Sequence, residues 1–130
     1  MKAVIVDAFG EAPEMSVRDA AMPEPGAQEV RVNIAAAGIN PVDTYNVKDP
    51  SWAGISTPCI LGYDIAGTVD AVGAGVDPAL VGKRVMAMTS FPAGQGGYAE
   101  YTVVSSDLLA VVSDDADLVA AASIPLAAGT

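Results

Sequence analysis

The fold of this chain is decided by residues 62–73, which read Gly-Tyr-Asp-Ile-Ala-Gly-Thr-Val-Asp-Ala-Val-Gly. The apolar and β-branched residues here predict a strand that runs from Ile60 to Val72. Gly62 and Gly67 interrupt it, and glycine inside a strand indicates a bulge or a place where another backbone approaches closely. The strand ends at Gly73-Ala74-Gly75, where the small residues predict a turn.

Outward from this strand, the chain reads as a series of short strands separated by glycine and proline. The clearest is Glu29–Ala35, where polar and apolar residues alternate, as expected for one solvated and one buried face. The other predicted strands are Lys2–Ala8 pairing with Met15–Asp19, then Gly82–Met88, Tyr98–Val104 and Leu108–Val112. The predicted helices are a turn at Pro41–Tyr45 and a helix from Asp115 to about Ser123, with Ser113 and Asp114 as caps. This pattern predicts a mainly β protein rolled into a barrel.

Length and charge narrow the class of protein. A chain of 130 residues fits one compact domain that can form a hydrophobic core without disulfide bonds or a structural metal. Its formal net charge of −10 repels phosphate backbones, so nucleic acid is not expected as a partner. Its apolar runs are shorter than the ~18 residues of a membrane span, and Asp7 comes too early for a signal-peptide core. We therefore expect a cytoplasmic protein that binds neither nucleic acid nor membrane.

Cysteine and histidine content bears on metal chemistry. The chain has no histidine and a single cysteine, Cys59, so an intramolecular disulfide is excluded. A zinc centre built from Cys and His needs three or four such ligands, which this sequence does not supply. Cys59 lies in an apolar stretch, and we expect a buried, inert thiol.

Four segments carry a resemblance to a known family. They are Gly-Ile-Asn-Pro-Val-Asp-Thr-Tyr at 38–45, the stretch at 62–73, Gly-Lys-Arg-Val at 82–85 and Gly-Gly-Tyr-Ala-Glu-Tyr at 96–101. On these segments the chain resembles the N-terminal GroES-like catalytic domain of the medium-chain dehydrogenase/reductase superfamily, in its zinc-independent quinone oxidoreductase branch. Zinc-bearing relatives have Cys near Asn40 and a His-Glu pair at Tyr63-Asp64, and a Cys-rich lobe where this chain has Met86–Gln95. The resemblance therefore implies a GroES-like, partly open β-barrel with short peripheral helices over residues 1–130, without zinc.

The same resemblance implies an activity and a site. The expected reaction is NADPH-dependent hydride transfer to a quinone or another conjugated carbonyl, as in enone or enoyl reductases. The implied catalytic residues are Tyr45, Asn40 and Asp43, which offer a phenol, an amide and an orienting carboxylate. The implied cofactor contacts are Asn40, Tyr45 and Thr130, and the implied residues of the substrate cleft are Tyr63 and Trp52.

The residues themselves also allow structural interpretations. Asn40 stands before a proline and is a good turn former, and Asp43 suits a local helix cap. Tyr45 and Tyr63 could be amphipathic residues at the rim of a barrel, and Trp52 could pack within its own loop. The sequence alone leaves both sets of interpretations open.

A dinucleotide fingerprint is missing from the sequence. Gly73-Ala74-Gly75 and Gly94-Gln95-Gly96-Gly97 are glycine-rich, but neither opens a predicted helix, as such a fingerprint does. In the resembled family, the apolar segment at 124–130 leads into a Rossmann domain that carries the fingerprint. We therefore expect the Rossmann domain to be absent from this chain, and NADPH to be bound through that domain or a partner chain. The isolated chain is expected to be inactive, and a homodimer is compatible with the sequence.

A second hypothesis belongs to another class of function. The apolar segment at 124–128 would suit docking, since exposed apolar patches usually mark interfaces. The chain would then be a stand-alone GroES-like binding or assembly module that pairs with a separate partner. A co-chaperonin is a weaker third hypothesis, because the dehydrogenase-type segments span the chain.

Overall fold

The protein is built from short antiparallel strands with a few short helices. In the computed structural model, which describes residues 1–90 and 96–129, the strands are β1 (Lys2–Ala8), β2 (Glu14–Asp19), β3 (Glu29–Gly38), β4 (Asp64–Val72), β5 (Arg84–Met88), β6 (Tyr101–Ser105) and β7 (Leu109–Val111). The helices are α1 (Pro41–Lys48), α2 (Leu118–Ala121) and α3 (Pro125–Gly129). The predicted mainly β fold with short peripheral helices is confirmed.

The strands form two sheets. β1 and β2 pair with each other as predicted, and the larger sheet has the order β6-β3-β4-β5-β7. Every neighbouring pair is antiparallel. Two isolated bridges, Ala3 to Ala99 and Val6 to Cys59, attach β1 to the segments that precede β6 and β4. Within the described residues the sheets are joined by these bridges and remain open, which agrees with a partly open barrel.

The main core lies against the larger sheet. Val30 and Val32 of β3 are fully buried, whereas Arg31 is partly exposed and Asn33 is exposed, so the predicted alternation is confirmed. The buried residues that share this cluster are Val30, Val32, Ile65, Val69, Val85, Ala87 and Val104. Burial of such apolar surface contributes about 25 cal/mol per Å² to folding.

β4 passes β3 at very close range. A Cβ atom at Gly67 would lie 2.0 Å from the Asn33 carbonyl oxygen, which no side chain tolerates. The register of β3 shifts at the same level, where Gly67 pairs with Ile34 and Ala66 pairs with Ala36. Of the two alternatives predicted for this glycine, the close backbone approach is present at Gly67 itself, and a register shift lies opposite it in β3.

Two strands begin later than predicted. β4 begins at Asp64 rather than Ile60, because its ladder with β3 ends where Asp64 pairs with Gly38. The strand predicted from Tyr98 begins at Tyr101, whose partner on β3 is Asn33. The first boundary is therefore set by the end of β3. The second lies where the chain leaves β1, because residues 98–100 bond to β1 through the Ala3–Ala99 bridge.

For the helix predicted from Asp115 to about Ser123, which corresponds to α2, both the start and the predicted caps Ser113 and Asp114 are wrong. α2 begins after Asp117, whose carboxylate accepts from the Val119 N–H at 2.9 Å. Ser113 instead donates to the Asp115 carboxylate at 2.6 Å, outside the helix. None of the helices in residues 1–90 and 96–129 is long and apolar enough to cross a membrane.

Cys59 is buried beside Val6, with 5% of its surface exposed. Burial raises the pKa of its thiol, because the thiolate loses its hydration. The predicted buried thiol is confirmed, and its raised pKa lowers its reactivity.

Candidate functional site

α1 begins at a turn built from Asn40 and Asp43. Asn40 has extended backbone angles (φ −116°, ψ 156°), and Pro41 follows as the first helical residue, where its missing N–H removes no helical hydrogen bond. The Asp43 carboxylate accepts from the Asn40 N–H at 2.8 Å, and the Asp43 N–H donates to the Asn40 carbonyl at 3.0 Å. The structure thus brings two of the predicted site residues together at a helix N-terminus.

The inner face of α1 is polar although it is buried. Asp43 and Asn46, one helical turn apart, are 4% and 0% exposed. Asn46 Nδ2 donates to the Tyr63 hydroxyl at 2.8 Å, and Asn46 Oδ1 accepts from the Trp52 Nε1–H at 2.9 Å. A buried amide that is bonded at both ends avoids the penalty of an unpaired polar group. Asn46 therefore links Trp52, on the loop after α1, to Tyr63 beside the start of β4.

Burial alters the pKa values of two groups on and next to the inner face of α1, Asp43 and Tyr63. The pKa of Asp43 is raised, chiefly because burial disfavours its charged form; the Asn40 N–H and the Tyr98 hydroxyl act to lower it, and Asp64 raises it. The pKa of Tyr63 is also raised, mainly by burial and additionally by the charge of Asp43, whereas the hydrogen bond with Asn46 lowers it. Both groups therefore hold their protons to higher pH than exposed groups do.

Tyr98 packs beside the same turn. Its hydroxyl donates to the Gly38 carbonyl at 3.3 Å, just before Asn40. Its pKa is raised by burial and by its neighbour Asp43. Tyr98 is therefore a neutral phenol that supports the turn from behind.

Asp64, at the start of β4, forms hydrogen bonds in two directions. Its side chain is fully buried, and its Oδ2 accepts from Asn40 Nδ2 at 2.9 Å. Its Oδ1 accepts from the Leu126 N–H of α3, also at 2.9 Å. One carboxylate thus contacts both the turn before α1 and the start of α3.

The predicted site residues occupy three kinds of position. Tyr45 and Trp52 are exposed, at 66% and 51% of their surface, whereas Tyr63 is fully buried behind Asn46. Asn40 and Asp43 form the turn between the end of β3 and α1. Thr130 lies outside the described residues.

Three residues that contact the site were not predicted from the sequence: Asn46, Asp64 and Tyr98. Asn46 carried a signal, because it stands three residues after Asp43 and shares its helix face. Asp64 also carried one, since it is the only charged residue in the apolar run at 60–67, and a buried acid requires partners. Tyr98 had no comparable signal, because its contact with Gly38 joins distant parts of the chain.

An apolar groove lies on another side of α1. It has a volume of about 680 Å³ and is bordered by Met15, Val17 and Ile39, with Asp43 in its wall. This groove is lined neither by the predicted cleft residues Trp52 and Tyr63 nor by Tyr45. The groove and the exposed residues Tyr45 and Trp52 are therefore separate features.

The glycine-rich turn after β4 does not fit a diphosphate. A Cβ atom at Gly73 would lie 1.7 Å from the Gly26 carbonyl oxygen, and one at Gly75 would lie 2.1 Å from Gln28 Nε2. The Gly73 N–H is already bonded to the Glu29 carbonyl at 2.8 Å. A phosphate cradle needs free backbone N–H groups in an open concavity, and here the chain itself fills that space.

Metal ligands do not gather in the part of the chain that the structure describes. Residues 1–90 and 96–129 contain no group of three or more Cys, Asp or Glu side chains placed to hold a metal ion. Asp43 and Asp64, the two buried acids beside the site, are engaged with backbone and amide donors instead.

Comparison with known proteins identifies similar sequences. The alcohol dehydrogenase GroES-like domain family matches residues 26–114. The quinone oxidoreductase of Sus scrofa is 34% identical, over 95% of this chain and 37% of the relative. The chloroplastic NADPH-dependent alkenal/one oxidoreductase of Arabidopsis thaliana is also 34% identical, over 100% of this chain and 36% of the relative. This chain therefore spans little more than a third of the length of these curated relatives.

A solved structure shares the fold. It is that of Escherichia coli quinone oxidoreductase complexed with NADPH, with a TM-score of 0.80 and 26% sequence identity. The match covers 94% of this chain and 36% of that chain. The domain seen here thus corresponds to about a third of that enzyme.

Proposed function

We propose a function on the premise of the family, since this chain belongs to the alcohol dehydrogenase GroES-like domain family of the medium-chain dehydrogenase/reductase superfamily. The chain is the catalytic-domain portion of a zinc-independent, NADPH-dependent oxidoreductase that reduces a quinone or another conjugated carbonyl. The observation that carries the proposal is the similarity to quinone and alkenal/one oxidoreductases along nearly the whole chain.

We assign the nicotinamide end of NADPH to this domain and its diphosphate to another. NADPH stands in the name of the Arabidopsis relative and is bound in the Escherichia coli structure. Asn40 and Tyr45 could contact a nicotinamide, whereas the filled turn at Gly73 offers the diphosphate no place. When bound, the cofactor supplies the hydride. The residues of this chain then have to orient the acceptor and stabilise the charge that develops on its oxygen.

Tyr45 is the residue that we assign to the acceptor oxygen. Its side chain is exposed, so the phenol can reach a molecule bound outside this domain. A phenol can donate a hydrogen bond to a developing oxyanion and then give up its proton. Asn40 and Asp43 keep the helix turn that carries Tyr45 in place through their mutual hydrogen bonds.

Trp52 offers a flat apolar surface to the acceptor. About half of the surface of Trp52 is exposed, while its Nε1–H is bonded to Asn46. Tyr63 lies behind Asn46 and supports that arrangement rather than meeting the acceptor directly. A planar quinone is well suited to such an aromatic surface.

The remainder of the cofactor is assigned to another domain. We place the diphosphate and adenosine on a Rossmann domain, either in a longer form of this protein or in a partner chain. The 130-residue chain by itself is then expected to be inactive. In this proposal the acceptor and the nicotinamide meet this domain, whereas the diphosphate and adenosine are held by the other.

The test is to supply the second domain. Residues 1–130 are fused to the nucleotide-binding part of the Escherichia coli quinone oxidoreductase, in place of the segment to which they are similar. The chimera is expected to oxidise NADPH when a quinone is added. Tyr45→Phe should lower kcat by about a hundredfold or more, since the phenol proton is removed.

That experiment has a positive and a negative control. The intact Escherichia coli enzyme shows that the assay works, and the 130-residue chain alone should not oxidise NADPH. A folded chimera that binds NADPH yet reduces neither a quinone nor an alkenal would contradict the proposed function. That result would favour the second hypothesis, a binding module.

A further inference from the structure

We propose that Asp64 is a positioning residue that joins the start of α3 to the Asn40 side chain. The inference rests on the proposed function in one respect, because it takes Asn40 as a site residue. The contacts on which it depends are those of this chain alone.

The position of Asp64 follows from strand pairing. Asp64 is the first residue of β4, and its partner across the ladder is Gly38, the last residue of β3. Gly38 stands two residues before Asn40. The pairing of the strand ends therefore places the Asp64 carboxylate beside the chain as it enters α1.

The two oxygens of Asp64 have different partners. Oδ2 accepts from Asn40 Nδ2 and Oδ1 from the Leu126 N–H, each at 2.9 Å. Leu126 is the second residue of α3, so its N–H has no partner inside the helix. Since the Asp64 side chain is fully buried, losing either bond would leave one of its oxygens without that partner and away from water.

Gly38 lets the C-terminal segment reach this point. A Cβ atom at Gly38 would lie 2.4 Å from the Ala122 carbonyl oxygen and 3.1 Å from Asp64 Cβ. The end of α2 therefore presses against the end of β3, immediately before α3 begins. The segment that carries Leu126 is docked on the same strand ends that hold Asn40.

A shift of α3 should therefore be felt at Asn40. If Leu126 moves, the Asp64 carboxylate must turn or release it, and its second oxygen moves with the first. Any domain that bears on α3 could in this way change the orientation of the Asn40 amide. An asparagine at position 64 could not reproduce the link, because it has one acceptor oxygen and its NH2 group would face a donor.

The experiment uses the 130-residue chain, without cofactor or acceptor, so its outcome does not depend on the proposed activity. Amide hydrogen exchange and ¹⁵N NMR are recorded for wild type, Asp64→Asn, Asn40→Ala and the exposed control Asp114→Asn. Asp64→Asn should speed exchange of the Leu126 N–H by about tenfold or more. It should also move the Asn40 side-chain NH2 resonances, whereas Asp114→Asn should change neither.

The selectivity of the change separates positioning from general stabilisation. A residue that only stabilises the fold would speed exchange of the core amides of Val32 and Val85 together with that of Leu126. Asn40→Ala removes one partner of Asp64 and should shift the Leu126 N–H resonance, which keeps the inference testable if Asp64→Asn does not fold. An unchanged Leu126 resonance in Asn40→Ala, or parallel exchange of Leu126 and the core amides in Asp64→Asn, would overturn it.

Discussion

β4 and the residue before it belong to two regions of the molecule that are equally buried but are stabilised by different kinds of contact. From Ile65 onward its inward side chains pack among valines of β3, β5 and β6. Tyr63, just before β4, and Asp64, its first residue, are as inaccessible as that core, yet hydrogen bonds hold them in place. Tyr63 bonds to Asn46, and Asp64 bonds to Asn40 and Leu126. The first region is an apolar core, and the second is a polar junction where α1, α3 and the candidate site meet.

The difference shows what each kind of contact can specify. Apolar burial is strong but has no direction, so the core stabilises the sheet without fixing any one side chain for chemistry. Hydrogen bonds in a buried site are directional, and an unpaired group there is costly. The polar junction is therefore suited to hold Asn40 and Trp52 in defined orientations, while the core supplies most of the stability.

The largest expected effect comes from the core. Ile65→Ala should reduce the free energy of unfolding by about 2–5 kcal/mol, because it removes buried methyl groups and leaves a cavity. Urea denaturation measures the change, with Ile65→Val as the matched control at about 0.5–1.5 kcal/mol. A loss for Ile65→Ala no greater than that for Ile65→Val would show that the core is not the main source of stability.

A smaller effect with a local signature is expected in the junction. Asn46→Ala removes the hydrogen bonds from Asn46 to the Tyr63 hydroxyl and to the Trp52 Nε1–H, and should cost about 1–3 kcal/mol. It should also change the fluorescence of Trp52, the single tryptophan of the chain, in the folded state. The exposed Asn33→Ala serves as control. Unaltered folded-state fluorescence in Asn46→Ala would mean that Asn46 does not hold the indole.

The third prediction concerns pH. Burial raises the pKa of Asp43 in the folded chain. The folded state therefore keeps this proton when the unfolded state has lost it, and stability from this group falls as pH rises from about 3.9, the ordinary Asp value, through the raised pKa. Asp43→Asn has no proton to lose, so its melting temperature relative to wild type should increase as pH is raised through that window. A difference that does not vary with pH would contradict the burial argument.

The smallest effect on stability is expected for Tyr45. Because its side chain is largely exposed, Tyr45→Phe should change the free energy of unfolding by less than about 0.5 kcal/mol. Thermal denaturation of the 130-residue chain measures it. A substantial loss would favour the structural interpretation of Tyr45 over the proposed catalytic one.

The two regions also differ in how far the sequence predicts them. Alternation at Val30 and Val32 and the glycine at 67 predict the sheet and its close approach, because these patterns reflect local geometry. The spacing of Asp43 and Asn46 puts both on one face of α1, but it does not show that this face is buried, since reasoning from amphipathicity assigns a polar face to water. The bond from Leu126 to Asp64 joins residues far apart in sequence, so it follows only from the docking of α3.

The candidate site was predicted in part through family resemblance. The segment at 38–45 predicted a helical turn, and the structure shows Asn40 and Asp43 bonded there. Nothing local to Trp52 or Tyr63 shows that Asn46 connects them, since the partners come together only after the loop folds back on α1. The local helical turn was therefore predictable, and the contacts that support it were not.

The central claim is that this chain holds the acceptor side of a site and leaves the dinucleotide phosphates to another domain. A calorimetric titration with NADPH tests this claim most directly. The 130-residue chain is titrated as wild type, Asn40→Ala and Tyr45→Phe. We expect no saturable heat of binding from any of the three, because the chain offers no free backbone cradle at Gly73. Saturable binding to wild type that is weakened by Asn40→Ala and Tyr45→Phe would contradict the claim and show that this domain holds the cofactor unaided.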